Sequence, residues 1–411
     1  MAYFSDSPLP SRSRAVVVTG AGIVTPMGRD FTENAAGFRA GRSAFSPVTL
    51  FDVSRQRVGT AGQVDLAEPS GKTESRMDRG TRLALLAARE ALAHAGISSG
   101  GEIPIIVGTS AAAMTIGEEY FKQAIATTAG RRLQARRVEL YQAQRQMTDV
   151  ARALRTGGPI RIVSNACASG ANAIGHAFHL VRSGRAERVL AGGYDALCQL
   201  VFAGFDSLQA LSPSGIPRPF DAARDGLALG EGAAFVLVES AAAAKARGAR
   251  AIAEILGYGA ATDIHHLTQP HPLGDAALAT MRTACAMAGI EPEQIDYLNS
   301  HGTGTPLNDI AEGHAIQRWA GDAAGKIKVS STKSAIGHLL GGAGSVEAVI
   351  SLMALEGQWL PASLHVRDAD PVCTFDLVRS PREATVERVL TNSFGFGGAN
   401  ATLVFGKEGL A

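Results

Sequence analysis

The chain has 411 residues, of which 46% are hydrophobic and 19% charged, and its formal net charge at pH 7 is +1. This composition is that of an ordinary globular protein. A chain this long buries roughly 75% of its unfolded surface, so its core needs no disulfide bonds or metal ions for stability. The small net charge excludes a global attraction to nucleic acid or to an anionic membrane surface. No run approaches 18 apolar residues, which excludes a membrane-spanning helix.

The four cysteines, Cys167, Cys198, Cys285 and Cys373, are far apart and include no CxxC pair. The sequence therefore predicts neither a metal site nor a disulfide framework, and a reducing compartment is expected. The lead-in, residues 1–14, is polar and lacks the apolar stretch of a signal peptide. We therefore expect a cytoplasmic protein.

Short apolar strands alternate with helical patterns along the chain, an order typical of an α/β protein with a largely parallel sheet. Residues 79–95 have helical spacing and end beside Gly96, a residue suited to a helix C-terminus. Residues 118–154 are polar, rich in arginine and predicted to be mostly helical. The predicted strands are residues 15–26 (with the loop that follows), 103–108, 159–163, 188–192 and 233–239.

The second half of the chain repeats the first. Residues 188–196 resemble residues 388–396, and each segment is followed by a strand rich in glycine and alanine, at 232–239 and 398–405. Ile160 to Cys167 likewise resembles Ile327 to His338. Matches that keep the same order predict two related halves joined near residues 241–251.

A cysteine stands where a predicted strand meets a predicted helix. Residues 163–172 read Val-Ser-Asn-Ala-Cys-Ala-Ser-Gly-Ala-Asn, with Cys167 at the helix start. The positive end of the helix dipole lies there, so we expect a thiol pKa below its usual value of about 8.5 and backbone N–H groups able to hold an oxyanion. The alternative is a buried cysteine acting as a small hydrophobe, which is our interpretation of the other three.

Two histidines stand in glycine-rich loops after predicted strands. Residues 299–309, Asn-Ser-His-Gly-Thr-Gly-Thr-Pro-Leu-Asn-Asp, contain His301, and residues 330–347 place His338 where the first half has Cys167. Histidine changes its charge near neutral pH, whereas the alternative for the first loop is a cluster of turn formers. The alternative for Lys333 is a solvated surface lysine. Residues 392–400, with two phenylalanines among glycines, predict a tightly bent loop or a simple hairpin turn.

In this order, the four motifs resemble the β-ketoacyl-[acyl carrier protein] synthases of the thiolase superfamily, most closely the elongating synthase II type. The resemblance runs from about residue 16 to residue 405 and includes Arg-Pro-Phe-Asp-Ala-Ala-Arg-Asp-Gly at 218–226 and Gly-Glu-Gly at 230–232. It implies a thiolase-like α/β fold with two tandem pseudo-repeated halves in a five-layer αβαβα arrangement. The implied halves are residues 15–250, with the nucleophile, and residues 251–411, with the histidine pair and a gate loop.

The resemblance also implies the reaction, a decarboxylative Claisen condensation of an enzyme-bound acyl chain with malonyl-carrier protein, without a metal or organic cofactor. Cys167 is the implied acyl acceptor, and His301 and His338 polarise the malonyl thioester. The second histidine distinguishes the chain from thiolases, which carry a cysteine there, and from starter synthases, which carry asparagine opposite the first histidine.

Further roles follow from the same resemblance. Lys333, with Glu347 as its partner, orients the site electrostatically. Thr303 and Thr305 bind the phosphopantetheine arm that arrives on the carrier protein. Phe396 is the gate residue, and its backbone N–H completes the oxyanion hole with that of Cys167.

The implied partners are an acyl carrier protein and a second subunit, either an identical chain or a chain-length-factor-like paralogue. Arg131, Arg132 and Arg218 match basic positions near the active-site entrance and imply a docking patch for the acidic carrier, the alternative being a solvated charge run. Residues 134–145 are basic and rich in glutamine where relatives are apolar, and Arg137 replaces a usual phenylalanine. Because an unpaired arginine in a dry pocket costs several kcal/mol, we expect this segment to line the subunit interface and to disfavour long saturated primers.

Other functional classes remain open at this point. Within the synthases, the alternative to fatty-acid elongation is the catalytic ketosynthase of an aryl-polyene or type II polyketide system. A non-catalytic partner subunit is disfavoured because Cys167, His301 and His338 are all present. A cysteine hydrolase would leave the motif from Lys333 to His338 without a purpose.

Overall fold

The computed structural model describes residues 14–69, 71–98, 101–126, 135–407 and 409. In these ranges the helices are α1 (Phe31–Arg39), α2 (Arg79–His94), α3 (Met114–Ala126), α4 (Ala135–Leu140), α5 (Ala143–Leu154), α6 (Ser169–Arg182), α7 (Gln199–Ser207), α8 (Ala241–Ala246), α9 (Asp275–Ala288), α10 (Pro306–Ala320), α11 (Lys333–Ile336) and α12 (Ala343–Gly357). None of these helices is long and apolar enough to cross a membrane.

The strands of the described ranges are β1 (Val16–Val24), β2 (Ser46–Pro47), β3 (Thr60–Ala61), β4 (Ile105–Gly108), β5 (Ile160–Val163), β6 (Arg188–Asp195), β7 (Gly232–Ser240), β8 (Ala253–Thr262), β9 (Tyr297–Asn299), β10 (Lys328–Ser330), β11 (Trp359–Leu360), β12 (Asp376–Leu377), β13 (Arg382–Glu383), β14 (Arg388–Phe394) and β15 (Ala399–Gly406). Helix α2 confirms the predicted helix at 79–95. Its first turn is capped by the Asp78 carboxylate, which accepts from the Thr81 N–H at 3.1 Å, and it ends before Gly96, whose φ is +72°.

Strand order reveals the two halves of the chain. Within the described residues, one 11-stranded sheet runs in the order β12-β10-β9-β14-β15-β8-β1-β7-β6-β4-β5, and its halves meet where β1 pairs with β8. Reading outward from that junction, the strands run β1-β7-β6-β4-β5 in one half and β8-β15-β14-β9-β10 in the other. If these five strands of each half are numbered in chain order, both halves have the spatial order first, fifth, fourth, second, third. This equivalence confirms the predicted pseudo-repeat, whereas the exact boundary at residue 250 stays a prediction.

The sheet is mixed, so the expectation of a largely parallel sheet was wrong. Strand β4 is parallel to β5 and β6, and β9 is parallel to β10 and β14. The pairs β6–β7, β7–β1, β14–β15 and β15–β8 are antiparallel. Strand β7 starts at the same end of the sheet where β6 stops, and β15 starts where β14 stops. Two strands connected in this way, without a crossover, must be antiparallel.

Two central helices lie between the two halves of the sheet. Helices α6 and α12 pack against each other, and each contacts strands of both halves. All residues of α12 from Ala343 to Leu355 are buried, which explains why apolar residues occur on every side of this helix. Helices α2 and α5 cover one outer face, and α9 and α10 cover the other, so the chain has the expected five-layer αβαβα arrangement.

The Gly-Glu-Gly motif contributes a buried carboxylate that joins three segments. Glu231 is fully buried and accepts from Arg79 Nε at 2.8 and 3.0 Å. It also accepts from the backbone N–H groups of Val64 at 2.9 Å and of Leu197 at 3.1 Å. Val64 belongs to the loop before α2, and Leu197 to the loop before α7. Because both loops donate to the Glu231 side chain, their positions depend on it.

We expect Glu231→Ala to lower the free energy of unfolding by about 3–5 kcal/mol, since it leaves the Arg79 guanidinium and two backbone donors unpaired. Glu383→Ala is the matched control, because Glu383 and Arg39 form an ion pair whose side chains are 69% and 55% exposed. The control should cost less than about 1 kcal/mol. Urea denaturation followed by circular dichroism measures both, and equal losses would contradict the structural role given to the buried carboxylate.

Candidate active site

Cys167 lies on a sharp turn between β5 and α6. Ala166, the residue before it, has a φ of +53°, a left-handed conformation that a residue with a side chain adopts only when its surroundings hold it there. The Ser169 hydroxyl closes the turn by accepting from the Asn165 N–H at 2.9 Å and donating to the Ala166 carbonyl. The thiol is thereby presented at the start of α6, as the sequence predicts.

Burial controls the ionisation of this thiol. It raises the pKa of Cys167 to about 12, although the charge of Lys333 and the backbone N–H of Phe396, which donates to the sulfur, both act to lower it. The expectation of a lowered pKa is therefore wrong, because desolvation of the buried thiol outweighs the favourable charges and dipoles. Cys167 is consequently a protonated thiol at neutral pH.

The loop from Gly395 to Phe396 closes over the thiol. A Cβ at position 395 would lie only 3.1 Å from the backbone nitrogen of Cys167, so the close approach of this loop favours glycine there. The Phe396 ring stacks on Phe205 of α7, with the centroids 5.9 Å apart and the planes at 18°. Neither Gly395 nor Phe205 was identified individually from the sequence, since only the folded chain brings α7 to this loop.

The two histidines of the sequence motifs meet beside Cys167. The rings of His301, after β9, and His338, after α11, lie 5.4 Å apart at 85°. Burial and then the charge of Lys333 lower the pKa of both imidazoles well below 6.5, and His338 contributes further to the lowering at His301. Both rings are consequently neutral at physiological pH.

Hydrogen bonds fix the tautomer of each ring. Nδ1 of His338 accepts from the Leu340 N–H at 3.0 Å, and Nδ1 of His301 lies 3.3 Å from Lys333 Nζ. Because an ammonium group only donates, Nδ1 of His301 must accept, and in both neutral rings the proton is on Nε2. Each ring therefore keeps one N–H donor for a ligand.

Lys333 is buried rather than solvated, with 2% of its side chain exposed. It forms an ion pair with Glu347 of α12, which is equally buried. Burial raises the pKa of Glu347 to about 7, against the lowering effect of Lys333. The geometry brings the two members of the predicted pair together beside His301.

Two buried carboxylates of α10 shape the loop that carries His301. Glu312 accepts from the N–H groups of His301 and Gly302, each at 2.8 Å. Asp309 accepts from the N–H of Thr303 at 3.1 Å. The role of Glu312 was missed from the sequence, although its spacing of three residues from Asp309 places both on one helix face.

Another buried carboxylate joins the two halves of the chain. Asp195, at the end of β6, accepts from the Thr109 hydroxyl at 2.6 Å, the Ala111 N–H at 2.9 Å and the Gly341 N–H at 2.7 Å. The first two belong to the loop after β4 and the third to the turn after His338. No sequence motif identified this residue, because its partners are distant in the chain.

Cys167, His301 and His338 line one cavity of about 410 Å³. Thr303 and Thr305 line the same cavity, and their hydroxyls are 2.8 Å apart. Because its lining also includes the exposed Leu307, the cavity connects the buried thiol and imidazoles with the surface.

Of the predicted docking and interface residues, the structure describes Arg218 and Arg137. Arg131 and Arg132 fall outside the described residues. Arg218 forms an ion pair of 3.0 Å with Asp225, a residue of the cavity wall. Arg137 of α4 does not line this cavity, and its guanidinium donates to Gln123 of α3 at 2.6 Å. The roles of these residues stay predictions.

We expect Lys333→Met to raise the pKa of His301 toward 6.5, because the nearby positive charge is lost while the lowering by burial remains. Histidine ring resonances followed by NMR during a pH titration measure this shift. In Lys326→Met, the control, an exposed lysine is lost instead and the pKa of His301 should remain low. A His301 pKa that does not change in Lys333→Met would show that burial alone keeps the ring neutral.

Comparisons with known proteins match this geometry. The family model described as "Beta-ketoacyl synthase, N-terminal domain" matches residues 13–244, and "Beta-ketoacyl synthase, C-terminal domain" matches residues 252–367. The 3-oxoacyl-[acyl-carrier-protein] synthase 2 of Synechocystis sp. is 38% identical, over 96% of this chain and 98% of the relative.

Two solved structures share the whole fold. The ishigamide ketosynthase/chain length factor is 36% identical with a TM-score of 0.92, covering 97% of this chain and 100% of the other. A type II polyketide ketosynthase in complex with its acyl-carrier protein is 28% identical with a TM-score of 0.86, covering 96% and 100%. With both family models and a near full-length relative in agreement, the chain belongs to the β-ketoacyl synthase family of acyltransferases.

Proposed function

We propose that this chain catalyses carbon–carbon bond formation with Cys167 as the acyl acceptor and with His301 and His338 as the donors that hold the malonyl-derived enolate. One observation carries the proposal: a thiol beside backbone N–H groups and two neutral imidazoles with free Nε2–H donors share a single cavity. The combination supports a decarboxylative condensation, because that reaction develops negative charge first at the carbonyl oxygen of the acyl thioester and then at the enolate oxygen.

The first step transfers the acyl chain. The Cys167 sulfur attacks the thioester carbonyl of the acyl-carrier protein, and the backbone N–H groups of Cys167 and Phe396 hold the oxyanion. The carbon–sulfur bond to the carrier then breaks, and the proton of the Cys167 thiol leaves with the carrier's sulfur. Because burial raises the pKa of this thiol, it loses its proton only as the carbonyl approaches.

The second step uses the histidine pair. The bond between the malonyl carboxylate and the α-carbon breaks, CO₂ leaves, and its bonding electrons form a thioester enolate. The Nε2–H groups of His301 and His338 donate to the enolate oxygen. The enolate carbon attacks the acyl group on Cys167, and the carbon–sulfur bond breaks to give the β-ketoacyl product on the carrier and an enzyme thiolate. The thiolate then takes a proton from water and becomes the starting thiol again.

Decarboxylation itself supplies the carbon nucleophile in this scheme, so we infer that the enzyme needs neither a strong base nor a metal or organic cofactor of its own. In this scheme Thr303 and Thr305 bind the phosphopantetheine arm that arrives on the carrier protein, and their position in the cavity wall supports this role. A hydrolase would need water instead of the enolate, and a non-catalytic partner subunit would not need the thiol. The expected cytoplasmic location accords with this chemistry.

A second subunit is proposed on the face formed by α3, α4 and the start of α7. Exposed apolar side chains gather there: Phe121, Ile125, Val138, Tyr141 and Leu200. An apolar area of this kind marks an interaction surface. The occupant is a second copy of the chain or a chain-length-factor-like paralogue, and similarity to a ketosynthase/chain length factor structure supports the second possibility.

Light scattering of the purified chain distinguishes these assemblies. We expect a homodimer to have twice the chain mass of 42.6 kDa. A monomer that doubles its mass only with a paralogous subunit indicates a heterodimer. A chain that stays monomeric with such a paralogue present would contradict the proposed interface.

The primer is proposed to be short, polar or conjugated, as in polyketide or polyene elongation, rather than a long saturated chain. The support is the basic, glutamine-rich segment at the proposed subunit face, where Arg137 donates to Gln123. We infer that the inner end of the bound chain lies near this pair. A saturated chain is disfavoured there, because the hydrogen bonds of the pair would have to be kept in a dry environment.

Cys167→Ala and the two histidine variants separate the roles. We expect Cys167→Ala to abolish β-ketoacyl product but to retain some release of CO₂ from malonyl-carrier protein, because decarboxylation uses the histidines. We expect His301→Ala or His338→Ala to slow CO₂ release on the order of 10²–10³-fold, as for loss of an oxyanion donor, while at least one still forms the acyl-enzyme.

A CO₂ assay, product analysis and mass spectrometry of the acyl-enzyme measure the three properties in each variant. Cys198→Ala is the matched control, since it removes a buried thiol outside the cavity and should keep all three. Condensation by Cys167→Ala would refute the mechanism, as would an undiminished CO₂ rate in both histidine variants.

A further inference from the structure

Exposed apolar side chains surround the mouth of the active-site cavity. Leu208, Leu267 and Leu307 are 60%, 73% and 54% exposed, and all three line the cavity. Ile310 lies one turn beyond Leu307 on α10 and is also exposed, without lining the cavity. We call these four residues the apolar rim.

The rim is built from separate parts of the chain. Leu208 follows α7, Leu267 belongs to the loop between β8 and α9, and Leu307 and Ile310 stand on the first turns of α10. Scattered surface leucines need no explanation, but apolar groups from three segments around one opening form a patch of the kind that binds a partner.

Two arginines that contact the rim segments already form ion pairs. Arg57 forms an ion pair with Asp206, two residues before Leu208. Arg318 pairs with Asp275 and donates to the Leu273 carbonyl of the loop that carries Leu267. With these charges neutralised locally, the apolar groups are the distinctive feature of the described mouth.

We propose that the apolar rim is a docking surface for the carrier protein and that it binds an apolar face of that protein. This inference rests on the proposed function. Within the described residues, the cavity that contains Cys167 opens at the rim. A thioester on a flexible arm therefore enters there, and the protein that holds the arm sits on the rim. Burial of the rim leucines on docking supplies affinity that does not depend on salt, unlike a basic patch.

The test replaces each rim residue by glutamine, which keeps the side chain neutral and of similar length. For Leu267→Gln and Leu307→Gln we expect the KM for acyl-carrier protein, relative to the KM for an acyl-pantetheine substrate, to rise on the order of tenfold. Ile310→Gln should raise the carrier KM and leave the kinetics with acyl-pantetheine unchanged, because Ile310 lies outside the cavity.

Leu50→Gln is the matched control, since Leu50 is an exposed leucine that does not line the cavity, and it should keep the wild-type ratio. A ratio that stays within about twofold of wild type in all rim variants, or an equal rise with both substrates, would overturn the proposal. Affinity for the carrier protein, measured by fluorescence anisotropy, tests the rim separately from catalysis. A wild-type protein that binds the carrier through the rim but condenses neither substrate would refute the proposed function alone.

Discussion

A buried ammonium group beside two imidazoles is the constraint on which the active site depends. The Lys333 ammonium group forms an ion pair with Glu347 of the central helix α12. This partner is needed because an unpaired charge at this depth would cost several kcal/mol. The positive charge of Lys333 disfavours a proton on Nδ1 of His301. Burial, together with the field of this lysine, thus leaves two neutral rings, and each keeps its single N–H donor at Nε2.

Duplication explains where these groups lie. The two halves place equivalent strands, β5 and β10, before the two central helices, so Cys167 and His338 stand at equivalent positions and meet where the helices pack together. The loop after β9 carries His301, whereas the equivalent loop after β4 is held by the Asp195 carboxylate. One half supplies the thiol and the other the imidazoles, so neither half holds a complete site.

Burial of the site has opposite effects on its groups. It lowers the pKa of both histidines, so their rings stay neutral, and a low local dielectric strengthens the hydrogen bonds that they donate. The same desolvation raises the pKa of the Cys167 thiol to about 12. In the proposed reaction, donors that are preorganised for the enolate therefore accompany a thiol that is protonated at neutral pH.

The sequence by itself determined the family, the repeated halves and the cysteine and histidines of the site, because these are written in local motifs whose order along the chain is visible. Tertiary structure decided what depends on residues distant in sequence: the mixed direction of the sheet, the burial of Lys333, and the positions of Glu312, Asp195 and Phe205. It also reversed the expected shift of the Cys167 pKa. A motif predicts the helix dipole at the thiol, but desolvation is the sum of everything packed around it, and only the folded chain defines that sum.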